Sequence, residues 1–193
     1  MQSLFLIFIS AFLVNNIVLM RFLGLCPWLG VSNRIGPALG MSVAVIFVML
    51  LSSSVTWIIY NFLLLPMGLV YLRTMVFVLV IGTLVQFVDL FLKKNRPALY
   101  KSLGIYLPLM ATNCIILGAA FLIIDYNYNF IQSIVFTLGV SLGFMLAMIM
   151  LSSVRERIDT ADIPPSLRGA PIAFITASLM SLAFLGFSGL FGL

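Results

Sequence analysis

The sequence predicts an all-α integral membrane protein, and three observations support this. Hydrophobic residues make up 63% of the chain and charged residues only 8%, whereas soluble domains have about 45–50% and about 25%. Several uncharged runs reach the roughly 20 apolar residues that a helix needs to cross a bilayer. Glycine and proline occur inside these runs, as packed membrane helices tolerate. We therefore expect residues 1–193 to form a single transmembrane domain.

Six transmembrane helices follow from the order of uncharged runs and polar breaks. The first predicted span covers residues 1–20. After Arg21, residues 22–33 are too few to cross, and Gly24 and Pro27 predict that they form a broken or re-entrant segment. Proline also biases Cys26, the residue before it, away from helical dihedrals. The other predicted spans are 38–60, 74–92, 102–124, 130–151 and 170–192, separated by polar connections at 61–68, 93–97, 125–129 and 155–168.

The basic residues predict the orientation, because cytoplasmic loops are enriched in lysine and arginine. Nine of the ten lie beside the loops that follow the first, third and fifth spans, and only Arg73 lies on the other side. Both termini are thus expected outside the cytoplasm. The net charge of +5 reflects this bias and does not indicate a nucleic-acid partner, which would require a basic surface. The nine residues are Arg21, Arg34, Lys93, Lys94, Arg96, Lys101, Arg155, Arg157 and Arg168.

Short matches between the two halves predict an internal repeat. Residues 15–19 resemble residues 112–116, and residues 49–53 resemble residues 150–153. Three spans per half would give the halves opposite orientations, as in many transporters with a site at the repeat interface. We expect the repeats at about 1–96 and 97–193.

The two cysteines are the candidate functional residues. The chain has no histidine, and Cys26 and Cys114 match no zinc or redox-motif spacing. Composition alone favours inert, buried thiols, and a disulfide is less favoured. The third possibility is a soft metal centre, above all a [2Fe–2S] cluster. Such clusters usually take four thiolates, so a second chain, identical or different, would have to supply two.

Polar residues beside the cysteines are candidate hydrogen-bond donors to such a cluster. These are Asn16, Thr112 and Asn113, and their alternative role is bonding between helices. No carboxylate lies near the centre of any predicted span. Ion and proton sites in membranes usually need such groups, so an ion pump made by this chain alone is not supported.

Six motifs resemble the A-type membrane subunits of Rnf electron transport complexes, and the likeness runs essentially from end to end. The motifs are Val14-Asn15-Asn16, Phe22-Leu23-Gly24-Leu25-Cys26-Pro27, Tyr71-Leu72-Arg73-Thr74-Met75, Thr112-Asn113-Cys114, Arg155-Glu156-Arg157 and Gly186-Phe187-Ser188-Gly189-Leu190.

This resemblance implies six spans with an inverted repeat, and a related E-type partner subunit of opposite topology. It implies a [2Fe–2S] cluster shared between the two, with Cys26 and Cys114 as this chain's ligands. It further implies partners of the B, C, D and G types in a bacterial inner membrane. The whole complex would act as a ferredoxin:NAD⁺ oxidoreductase coupled to Na⁺ or H⁺ translocation, in which this subunit carries electrons and is not catalytic alone.

Three alternatives stay open. The first is a D or E subunit of the Na⁺-translocating NADH:quinone reductase. Its E subunit typically has Glu-Asn at Asn15-Asn16 and Cys-Thr at Cys26-Pro27, and both differences favour Rnf. The second is an inverted-repeat transporter of a small solute, and the third is a structural scaffold. In both of these the cysteines would be inert.

Overall fold

The protein is mostly helical in the part of the chain that its computed structural model describes, which is residues 4–32, 35–68, 70–95, 113–160, 164 and 167–190. No strand occurs in these ranges, so the all-α prediction is confirmed. The helices are α1 (Leu4–Ile9), α2 (Ile17–Arg21), α3 (Leu25–Val31), α4 (Ile35–Ile59), α5 (Leu65–Met67), α6 (Arg73–Asn95), α7 (Cys114–Asp125), α8 (Phe130–Asp159) and α9 (Ala170–Leu190). Two π-helical segments, Ser10–Val14 and Tyr60–Leu64, continue α1 and α4, and Val70–Leu72 is a 3₁₀ turn.

Three helices in these ranges are long and apolar enough to cross a membrane: Ile35–Leu64, Arg73–Leu90 and Phe130–Asp159. Leu4–Val14, Cys114–Asp125 and Ala170–Gly186 are shorter apolar helices at the positions of the first, fourth and sixth predicted spans. The number of six spans, like the repeat boundaries, therefore stays a prediction.

Two predicted polar connections are wrong in part, because the helices extend into them. The predicted turn at 61–68 is helical up to Met67. Pro66 lies just beyond the π-helical segment, and the helical stretch ends at the next residue, Met67. At the other site α8 continues to Asp159. A helix can extend beyond the hydrocarbon layer, so the charges that begin at Arg155 do not end it.

The first and fourth predicted spans are also not continuous helices. Asn16 and Asn113 both have extended backbones, with φ/ψ of −62°/107° and −71°/108°. Each residue interrupts a run that apolarity alone predicts to be one helix. Residues 102–112 of the fourth predicted span lie outside the described residues.

The segment before α3 turns back on itself. Phe12 and Asn16 pack at Gly143 in α8, whereas Leu23 packs against Gly118, one turn into α7. From Gly24 onwards, α3 runs along α8 in the direction opposite to α2. The indole of Trp28 bonds to the Ala147 carbonyl, which lies farther along α8 than Gly143. Broken, re-entrant structure near Cys26 is thus confirmed.

This reversal corrects the predicted location of Arg21. Its side chain shares a cavity with Tyr126 and Tyr128, which precede α8. Arg155, in contrast, lies near the far end of α8. Arg21 therefore groups with Arg73, and the predicted division of the basic residues becomes eight against two. The bias still predicts the same orientation.

The core is built on the contact between α4 and α8. Ser53 and Thr137 share a buried hydrogen bond of 2.8 Å across this contact. On another face of α8, a Cβ on Gly139 would lie 2.9 Å from the Ala11 Cβ and 3.0 Å from the Phe8 carbonyl oxygen. Small residues allow such close helix packing in membranes.

Candidate metal centre

The helices α2 and α7 begin after asparagines with the same capping geometry. The Asn16 side-chain oxygen accepts a hydrogen bond of 3.1 Å from the Val18 N–H. The Asn113 oxygen accepts one of 3.3 Å from the Ile115 N–H. Asparagine is among the preferred N-cap residues because its side chain satisfies an N–H that the helix leaves unpaired.

Cys114 is the first residue of α7, and its sulfur contacts the other cysteine-bearing segment directly. The backbone N–H of Gly24 donates to the Cys114 Sγ at 3.0 Å. Gly24 has φ of +84°, a left-handed conformation that glycine adopts without strain. This residue also caps α3, in which Cys26 is the second residue.

The structure therefore brings the segments of both cysteines together. Consecutive Cα atoms are about 3.8 Å apart, so the Cα of Cys26 lies within about 7.6 Å of that of Gly24. Both cysteines are free thiols; Cys26 is exposed, whereas Cys114 is half-buried. Cys26 is helical, contrary to the prediction from Pro27. The reason is that Pro27 occupies the first turn of α3, where proline is tolerated.

The polar candidates beside the cysteines differ in what they bond. The Asn16 side-chain amide donates to the Gly143 carbonyl at 3.0 Å. The Asn113 Nδ2, beside Cys114, is buried and has no hydrogen-bond partner within the described residues. It is thus a spare donor next to a thiol. Thr112 lies outside the described residues.

These residues fit half of a [2Fe–2S] site. Two thiols, the Gly24 N–H on the Cys114 sulfur and the unpaired Asn113 amide suit an anionic, sulfur-rich group. The N-terminus of α7 adds the positive end of a helix dipole. No group of three or more metal-ligating side chains occurs in the described ranges. Completion from another chain is consistent with the exposure of Cys26.

Known proteins of one family match almost the whole chain. The family model of the Rnf-Nqr subunit, a membrane protein, matches residues 4–191. The chain belongs to the Rnf-Nqr family. Similar proteins include the A subunits of the ion-translocating oxidoreductase complexes from Yersinia enterocolitica (51% identical), Serratia proteamaculans (51%) and Syntrophotalea carbinolica (52%). Each match covers 98% of both chains.

Two anchors of the cysteine segment in this Rnf-Nqr protein escaped sequence reasoning. The buried Trp28 donates its indole N–H to the Ala147 carbonyl at 3.1 Å. Arg155 donates to the Leu29 carbonyl at 2.8 Å and to the Ser32 hydroxyl at 2.7 Å. Both residues fix α3 against α8. Arg155 belongs to a motif of the family resemblance, but the sequence placed it in the predicted polar connection at 155–168.

Proposed function

We propose that this Rnf-Nqr chain is the A-type membrane subunit of an ion-translocating oxidoreductase complex. In this proposal, Cys26 and Cys114 hold one half of a [2Fe–2S] cluster, and a homologous E-type subunit holds the other half. The observation that carries the proposal is the 3.0 Å hydrogen bond from the Gly24 N–H to the Cys114 sulfur. It joins the two cysteine segments, which are far apart in sequence, at one place in the fold.

When bound, the cluster would accept and pass on one electron at a time. The protein's own residues would bind it and set its environment. Both thiolates would ligate iron, and the Gly24 N–H would offset negative charge on the Cys114 sulfur. Hydrogen bonds to ligand sulfurs are among the determinants of reduction potential. The Asn113 Nδ2 is positioned to donate a further bond, and Trp28 would keep α3 in place.

The names of the relatives support a role as one of several subunits. We propose further partners of the B, C, D and G types, and a location in a bacterial inner membrane with both termini on the outer side. Electron transfer through the complex would be coupled to Na⁺ or H⁺ translocation. The names of relatives that are 51–52% identical to this chain, together with Asn15-Asn16 and Cys26-Pro27, support this assignment over a subunit of the Na⁺-translocating NADH:quinone reductase.

The test uses the purified complex with Cys26→Ala and Cys114→Ala in this chain. Iron and acid-labile sulfide are measured, and electron paramagnetic resonance (EPR) spectra are recorded after reduction. We expect each variant to lose two iron atoms and one reducible signal per complex. Ser153→Ala is the matched control, because Ser153 is exposed and bonds only within α8.

Retention of a normal signal, full iron content and full turnover by Cys114→Ala would overturn the proposal. That outcome would favour an inert thiol in a transporter or a scaffold. Loss of the signal while the other subunits stay bound would instead distinguish ligation from a failure of assembly.

A further inference from the structure

We infer that this chain binds the phosphate of an anionic phospholipid beside Arg21, at a site separate from the cysteines. A cavity of about 590 Å³ lies between the first helical segments and the turn that joins α7 to α8. Arg21, Tyr126 and Tyr128 provide polar groups in its lining. Leu6, Leu122 and Phe136 provide apolar walls. This combination suits an amphiphile with a charged head.

The charge in the cavity is uncompensated within the described residues. No carboxylate lines the cavity, and no hydrogen bond or ion pair engages the Arg21 guanidinium in the described part of the chain. The neighbouring Asp125 is already paired with Arg73 at 2.9 Å. A guanidinium without a protein anion is a suitable site for a phosphate, which arginine can bind through two parallel hydrogen bonds.

The position of the cavity favours a lipid over a soluble anion. Tyr126 and Tyr128 lie with ring centroids 5.4 Å apart in the turn between two apolar helices. Tyrosines of membrane proteins concentrate at headgroup depth, so Arg21 lies at the level of lipid phosphates. Leu6 is 54% exposed, so the cavity borders the lipid-facing surface. Acyl chains would pack along Leu122 and Phe136.

The lining also selects the class of lipid. A zwitterionic phospholipid offers Arg21 the same phosphate, but it also carries an ammonium group. No carboxylate lines the cavity to pair with that ammonium, and Arg21 would repel it. A phospholipid with net negative charge, such as phosphatidylglycerol, matches the site better.

The test is a lipid titration of the purified, delipidated complex. Phosphatidylglycerol and phosphatidylcholine with identical acyl chains are added separately, and bound lipid is counted by native mass spectrometry. The complex carries this chain as wild type, Arg21→Gln, Arg21→Lys or Arg157→Gln. Arg157 is the matched control because it is an exposed basic residue near the far end of α8, so its loss removes the same charge without freeing a carboxylate beside the cavity.

We expect wild type and Arg157→Gln to prefer phosphatidylglycerol by about two- to fivefold, because both lipids offer Arg21 the same phosphate and only the zwitterionic lipid adds an ammonium group that Arg21 repels. Arg21→Gln should lose this preference, and Arg21→Lys should keep part of it. An unchanged preference in Arg21→Gln would overturn the inference. If Arg21→Gln does not assemble, the absence of a preference for phosphatidylglycerol in wild type, or in assembled Arg21→Lys, would overturn the inference.

Two further outcomes would also overturn it. Inorganic phosphate that displaces the lipid at millimolar concentration would identify a site for free anions. A photoreactive residue at Leu122 that crosslinks to another protein of the complex, and not to lipid, would show that protein fills the cavity. Crosslinking to phosphatidylglycerol would support the inference.

Discussion

The contact of Gly139 with the first helical segment gives the sharpest prediction about packing. In Gly139→Ala the new Cβ would lie 2.9 Å from the Ala11 Cβ and 3.0 Å from the Phe8 carbonyl oxygen. Comfortable contacts between carbon atoms are about 3.5–4.0 Å, so the segments must separate by roughly half an ångström or more. Overpacking of this kind costs about 1–3 kcal/mol.

The matched control is Gly82→Ala in α6, where a Cβ meets nothing within 4 Å. Both changes replace a helical glycine, so both gain the same helix propensity, up to about 1 kcal/mol. Their difference therefore isolates the packing at Gly139. The assay is unfolding of the purified protein in mixed micelles with increasing denaturing detergent, followed by circular dichroism.

We expect Gly139→Ala to unfold at lower detergent fraction than Gly82→Ala. The displaced segment also carries Asn16, whose amide bonds the Gly143 carbonyl, so the break near Cys26 should loosen. Equal midpoints for the two variants would refute the reasoning, because they would show that the first segment moves away from α8 without cost.

Two further predictions concern the residues that hold the cysteine segments. Asn113→Ala should destabilise the protein by about 1 kcal/mol through the lost cap. Asn16→Ala should destabilise it more, because this change also removes the 3.0 Å bond to the Gly143 carbonyl. The same unfolding assay ranks the two variants, and the reverse order would contradict the different bonding of the two amides. Arg155→Gln should lower stability by about 1–3 kcal/mol, because it removes charged bonds to the Leu29 carbonyl and the Ser32 hydroxyl. Faster alkylation of Cys26 by a maleimide, relative to an Arg157→Gln control, would report the release of α3, and unchanged alkylation would argue that Trp28 alone holds this helix.

Sequence reasoning succeeded where the signal is an average over many residues. Hydrophobic content and uncharged runs identified a helical membrane protein, because the bilayer imposes the same requirement on every spanning segment. The motifs around Cys26 and Cys114 identified the family. Ligand counting predicted that two thiols make an incomplete site, and this stays a prediction. None of this required knowledge of which residues touch.

Sequence reasoning failed where one contact between distant residues decides the local structure. The run around Cys114 is apolar enough for one continuous helix, yet Asn113 breaks it by capping α7. Arg21 was expected with the cytoplasmic residues, but the reversal before α3 puts it beside Tyr126. Apolar periodicity cannot show such reversals, because a broken segment and a continuous one bury similar side chains.

By itself, the sequence determined the class of protein and the family, and it supplied the two candidate thiols. Only the tertiary structure decided that Gly24 and Cys114 meet, with an N–H and a sulfur 3.0 Å apart. The physical reason is that this meeting depends on two helix breaks. Away from water, a break is stable only where other segments bond the freed backbone groups or side chains, and those segments are distant in the chain.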